Sequence, residues 1–172
     1  MGSGGDPGFA VKIGKCVARL QMRNNPTRPS KLLDTMAFGT YNRGIKHAKT
    51  RFDWLSRDER EVQKYIEDPQ CGFICSAGFF FDLFTGLELI HDPDRIQHIP
   101  KEIPILVVSG DADPVGGNGR GVAEFVGQLK KNRISNVQMK MYPGARHELL
   151  KETNKNEVME DLLKWLQEQV TT

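Results

Sequence analysis

Two stretches toward the C-terminus constrain the fold more than anything else in the chain. Ile103–Val115 reads IPILVVSGDADPV and Val137–Leu150 reads VQMKMYPGARHELL. Each is an apolar run that halts at a glycine and then presents ionisable side chains. Ile105–Val108 is continuously aliphatic and β-branched at three of its four positions, the composition of a buried parallel strand. Val137–Tyr142 alternates apolar and polar residues, as a strand does. Between them, Gly119–Lys131 carries Val122, Phe125, Val126 and Leu129 at i, i+3, i+4 and i+7, the spacing of one helix face. A last helix is expected to start at a cap formed by Asn154 and Glu157, with Val158, Leu162, Trp165, Leu166 and Val170 on its apolar face. Strand–helix–strand–helix with short connections predicts an α/β fold with a parallel sheet.

The first part of the chain reads differently. Phe9–Leu20 has Phe9, Ile13, Val17 and Leu20 at helical spacing, and Lys31–Phe38 is a shorter periodic piece. Asn24–Pro29, with two prolines and two asparagines, breaks them apart. Phe38–Phe52 reads as loop. Trp54–Asp68 reads as a helix, with Ser56 and Glu59 in capping-box spacing and Asp68-Pro69 as its stop. Ala77–His91 is a further helix, aromatic over much of its surface: Phe79, Phe80, Phe81 and Phe84 precede Leu87 and Ile90. Such a segment is either core or the wall of an apolar pocket.

Composition narrows the function classes. The chain has 172 residues, one domain or a large piece of one, with 38% hydrophobic and 27% charged residues. A net charge of +2 and the lack of a dense Lys/Arg stretch argue against nucleic acid as a partner. Lys12–Arg28 is mildly basic, which reads as a solvated surface or else as attraction for a membrane or an anionic substrate. The longest apolar-rich tract, Gly72–Ile90, is broken by Asp82, Thr85 and Glu88 and is too interrupted to span a bilayer. Three cysteines, Cys16, Cys71 and Cys75, are an odd number, which argues against a disulfide framework and for a reducing, cytoplasmic setting. Cys71 and Cys75 lack a second ligand pair at zinc spacing and read as apolar thiols. The opening residues 1–8 read either as an appended lead or as a loop or strand remnant; their glycines miss the dinucleotide pattern at Pro7, and Gly14-Lys15, without the upstream glycine and followed by Cys16, is no P-loop.

In an open parallel sheet, sites gather beyond the carboxyl ends of the strands. Asp111, Asp113 and His147 all fall on that edge. A carboxylate that holds the Nδ1 proton of a histidine fixes its tautomer and stabilises the imidazolium formed during nucleophilic attack. Asp113 is the better candidate for that acid, because it stands farther along the loop, before Pro114. Asp111 is free to bond backbone amides in the turn. His47, His91 and His98 sit in polar or turn-like surroundings, and a metal site from His91, Asp94 and His98 has no regular spacing to support it. No metal and no organic cofactor is expected.

The segments PILVVSGDADPVGGNGRGV and YPGARHELLKE, with the closing amphipathic helix, resemble the C-terminal half of α/β-hydrolases. The likeness is strongest to the monoacylglycerol lipase, lysophospholipase and serine aminopeptidase group. TRFDWLSRDEREVQKYIEDPQCGF is similar to the lid of bacterial lysophospholipase-type hydrolases. The resemblance implies a helical cap over 9–100 and a C-terminal core segment over 101–172. It implies Asp113 as triad acid and His147 as triad base, in the fold's usual chain order. It further implies an aromatic substrate pocket including Phe79, Phe80 and Phe84, and a small lipid or ester substrate. The family's G-x-S-x-G elbow has no match: Ser3, Ser76 and Ser109 follow Met1, Ile74 and Val107 at the positions where glycine is required. The expectation is a piece of a serine ester hydrolase that supplies acid and base but no nucleophile, or else a truncated, hydrolase-like binding protein. Apolar helix faces and strand edges left open would then favour a homo-oligomer or a companion chain.

Overall fold

Small residues decide how the helical half packs. In the computed structural model, which describes residues 4–6 and 8–170, α1 (Phe9–Met22) lies along α4 (Ala77–Ile90). A Cβ at Gly14 would stand 2.6 Å from the Phe84 ring, so only glycine admits that ring. Val11, Gly14 and Ala18 therefore form the buried stripe of α1. This corrects the face expected from the sequence: Phe9, Ile13 and Leu20 are exposed. Bulky apolar residues mark a helix face only when the partner surface has room for them, and here the partner supplies the bulk. Leu33 of α2 (Lys31–Phe38), Phe80 and Phe84 complete this cluster. The Ser30 hydroxyl caps α2 by accepting from the Leu33 amide, and the Ser76 hydroxyl caps α4 by accepting from that of Phe79.

The segment after α2 is mostly irregular, with single 3₁₀ turns at Tyr41–Gly44 and Asp53–Leu55. The α-helix α3 spans only Glu59–Glu67, shorter than the sequence implied. Its cap is Asp58, whose carboxylate accepts from the Arg60 amide. Ser56 instead accepts from the Asp58 amide and donates to the Lys151 carbonyl, so it ties two distant segments rather than opening a helix.

After the short α5 (Pro93–Ile96), β1 (Ile105–Gly110) and β2 (Val137–Tyr142) pair in parallel, from Ile105 opposite Val137 to Gly110 opposite Tyr142. The crossover is α6 (Arg120–Lys131), whose Val122, Val126 and Leu129 pack with Val107, Ile96 and Ile134. A third cluster joins Val108 and Tyr142 to Leu149 and to Val158 of α7 (Lys155–Val170). The expected apolar face of α7 holds only at its start. Val158 is buried and Leu162 packs beside it, but Leu166 and Val170 are exposed, as are Met159 and Leu163. The Asn154 side chain is also used otherwise than expected: its oxygen accepts from Arg57 and its amide donates to Glu157. No helix among the described residues is long and apolar enough to cross a membrane. Of the opening segment, residues 1–3 and 7 lie outside the described residues.

Candidate active site

Both strands end on the same edge, and the loops that leave them close on each other. Gly110 is the last residue of β1, and a Cβ there would stand 1.9 Å from the Ala145 carbonyl oxygen. Glycine is what lets the two loops meet. The Asp111 amide donates to the Tyr142 carbonyl (3.2 Å), and the Ala112 amide to that of Ala145 (3.0 Å). The Asp111 carboxylate accepts from the Gly144 amide at 2.6 Å, and so serves the turn. Asp113 is aimed across: its Oδ2 accepts from His147 Nδ1 at 3.0 Å, and its Oδ1 accepts from the Val115 amide at 2.8 Å. Asp113 is buried, while the His147 side chain keeps 23% of its surface exposed. An acid shielded from water and a histidine that stays partly open to it suit a base that must reach a substrate.

The helical half holds the histidine from the opposite side. The His147 amide donates to the Trp54 carbonyl and the Glu148 amide to that of Leu55 (2.7 Å). The Trp54 ring lies 5.2 Å from the imidazole, and Tyr41 meets Trp54 edge-on at 4.9 Å. Burial, and then the charge of Asp113, push the Tyr41 phenol above its ordinary value, so it stays a hydrogen-bond donor.

Under this contact sits Glu152, whose side chain is fully buried. Its Oε1 accepts from the amides of Arg57 (3.1 Å) and Arg146 (2.8 Å). Its Oε2 accepts from Arg57 Nε (2.8 Å) and the Thr153 amide (3.0 Å). Burial alone drives this carboxyl up. The Arg146 amide, the Arg57 guanidinium and the two remaining amides outweigh it, so the carboxyl is held below the usual glutamate range. Arg146 adds a further tie, donating to the carbonyls of Asp53 (2.7 Å) and Ser56 (2.9 Å). Sequence reasoning missed Glu152, Arg57, Arg146 and Trp54. The run RHELLKE contains Glu152 five residues after His147, but nothing in that spacing marks it as buried.

The aromatic residues expected to wall a pocket separate. Phe80 and Phe84 are buried in the cluster with α1. Phe79 alone of the three lines a groove of about 570 Å³, together with Phe38, Phe52, Trp54, Phe73 and Cys75. Burial, and then nearby Asp34, push the Cys75 thiol up, away from thiolate chemistry. Among the described residues no serine or cysteine bonds to His147, whose one side-chain partner is Asp113. The Ser109 hydroxyl is buried and donates to the Gly110 carbonyl. The rings of His91 and His98 each donate to a carbonyl four residues back. No cluster of three or more His, Cys, Asp or Glu side chains among the described residues is arranged to hold a metal ion.

Parallel strands joined by a crossover helix, with helices packed around them and acid and histidine loops meeting at the carboxyl edge, define the class as the α/β-hydrolase fold. The family model of the serine aminopeptidase S33 hydrolases (Hydrolase_4) matches residues 7–154, and the chain belongs to that family. Among solved structures it is similar to a highly thermostable carboxyl esterase from Bacillus coagulans, solved with glycerol. The TM-score is 0.86 and the identity 26%, over 96% of this chain and 54% of the esterase. It is also similar in fold to a soluble variant of the Saccharomyces cerevisiae monoglyceride lipase, solved with a substrate analogue. There the TM-score is 0.63 and the identity 20%, over 93% of this chain and 48% of the lipase. The Paleococcus ferrophilus monoacylglycerol lipase matches with a TM-score of 0.58 and 19% identity, over 89% of this chain and 64% of that one. The chain thus spans about half the length of the esterase.

Proposed function

We propose that this chain supplies the acid and base of a serine ester hydrolase. Residues 9–100 act as its cap and 101–172 as the C-terminal part of its core. The observation that carries the reading is the 3.0 Å bond between buried Asp113 and partly exposed His147. In this reading a serine outside these 172 residues attacks an ester carbonyl. His147 Nε2 takes the hydroxyl proton and returns it to the leaving alcohol, while Asp113 holds Nδ1–H and stabilises the imidazolium. The groove of Phe38, Phe52, Trp54 and Phe79 takes the apolar acyl part, with Trp54 bridging it to the imidazole. The substrate class is a small lipid ester, a lysophospholipid or monoacylglycerol. A short peptide, cleaved as an aminopeptidase would, is the rival within the family. No step needs a metal or an organic cofactor. The setting is cytoplasmic, and a second copy or a companion chain covers the open strand edge and helix faces.

The test is turnover of a medium-chain monoacyl ester by an assembly containing this chain and the serine-bearing polypeptide. His147→Ala or Asp113→Asn lowers kcat by roughly ten-thousandfold with folding kept. Near-normal turnover in either variant defeats the assignment. A second reading, a non-catalytic hydrolase-like binding protein, is favoured by one observation: no described serine or cysteine reaches His147. A fluorophosphonate probe separates the two. Labelling that depends on His147 supports the enzyme, and no labelling in any assembly supports the binding protein.

A further inference from the structure

We propose that a basic cleft beside the Asp113–His147 pair is a phosphate-binding subsite. The cleft, about 550 Å³, lies between the Tyr41–Lys46 segment and the loop that follows β1. Arg43, Lys46, Arg57, Arg120 and Arg146 line it, and no carboxylate does. Ala112 and Pro114 form part of the wall, whereas Asp113 between them turns inward to His147.

Most of the charges in this cleft have no ion-pair partner among the described residues. Arg57 is paired with Glu152. Arg43, Lys46, Arg120 and Arg146 enter no ion pair among the described residues; Arg146 donates to carbonyls, and Arg120 Nε to the Gly117 carbonyl. Single cations elsewhere are found both paired, as Lys15, Lys49, Arg51, Lys64 and Lys140 are, and unpaired; what sets the cleft apart is that its cations gather in one concavity with no carboxylate in its lining. Four unpaired cations around one concavity repel each other, and low-dielectric walls focus their field onto whatever occupies it. An anion removes that repulsion. Tyr41 contributes to the same wall.

The donors indicate which anion. Three guanidinium groups arrive from three separate segments, the 3₁₀ turn at Arg43, the start of α6 at Arg120 and the histidine loop at Arg146. Planar forks converging from different directions suit the several oxygens of a tetrahedral phosphate better than one flat carboxylate. Two of the cations are already rigid, because Arg57 and Arg146 are held by Glu152 and by the Asp53 and Ser56 carbonyls. Less ordering is then lost when the ligand enters. The phosphate is either the phosphoester headgroup of a substrate or a free phosphate ion. The headgroup role rests on the ester-hydrolase reading; binding itself does not.

The experiment titrates the 172-residue chain with sodium phosphate and, separately, with glycerol 3-phosphate, at matched low ionic strength and read by heteronuclear NMR. Saturable shifts are expected at Tyr41 and Gly117–Arg120. Affinity should fall at least about tenfold in the double variant Arg43→Gln/Arg120→Gln, both sites being exposed and outside the core. Lys131→Gln, at the far end of α6, serves as control and should bind like the parent. Tighter binding of glycerol 3-phosphate assigns the site to a headgroup, and equal binding assigns it to the free ion. No saturable shift, or unchanged affinity in the double variant, overturns the proposal. His147→Ala should leave phosphate binding by this chain intact while lowering ester turnover of the assembly with the serine-bearing polypeptide, so failure of this subsite and failure of the hydrolase reading are separable.

Discussion

Replacing Glu152 tests whether one buried carboxylate holds the histidine loop to the helical half. Four N–H groups end on it: the amides of Arg57, Arg146 and Thr153, and Arg57 Nε. Glu152→Ala leaves three amides without an acceptor in a site closed to water, and it leaves a guanidinium that is 30% exposed without its counter-charge. Removing one partner of such a pair costs about 3–5 kcal/mol. Glu152→Gln keeps the oxygen facing Arg57 and Arg146, but turns an NH₂ group toward two donors; about 3 kcal/mol is expected. For a chain of this size each kcal/mol lowers Tm by roughly 2–4 °C, so Glu152→Ala should melt about 6–20 °C below the parent. Urea unfolding followed by tryptophan fluorescence measures the same difference at constant temperature. The sign with pH follows from the lowered carboxyl. Its contribution is complete above the unfolded glutamate pKa and disappears as pH falls through the lower folded value. The gap between parent and Glu152→Gln should therefore narrow in acid. A Glu152→Ala chain within about 1 kcal/mol of the parent, or a gap that widens in acid, would refute this account.

Gly110→Ala should destabilise by about 3 kcal/mol or prevent folding, since its Cβ would meet the Ala145 and Arg146 carbonyls at 1.9 and 2.6 Å; chemical denaturation measures it. Gly127→Ala, in α6 with nothing within 4 Å of the new Cβ, should instead stabilise by about 0.4–1 kcal/mol. Nitrogen-15 NMR should find the His147 proton on Nδ1 in the neutral parent, and Asp113→Asn should change that tautomer balance; no change would separate the two groups in solution. Leu163→Glu with Val170→Glu, on the exposed side of α7, should reduce self-association in sedimentation velocity without lowering Tm, because neither residue is in a core cluster.

Periodicity is local, and where local pattern and tertiary demand agree the sequence alone determined the outcome. Lys31–Phe38 and Val137–Tyr142 fold as helix and strand over those bounds, and the aliphatic run at Ile105 becomes the buried strand. The glycines that end each run, with Asp113 and His147 behind them, already indicated a shared strand edge. Tertiary structure decided the rest. Which face of α1 is buried depends on the Phe84 ring arriving from 70 residues away in the chain, seated over Gly14. Ser56 had a cap's spacing but took the Lys151 carbonyl, 95 residues distant. Glu152 reads as one more surface charge until Arg57 and Arg146 converge on it. A charged side chain is buried only where partners from distant segments meet it and offset its loss of water. That convergence is a property of the closed fold and has no signature in the neighbouring residues.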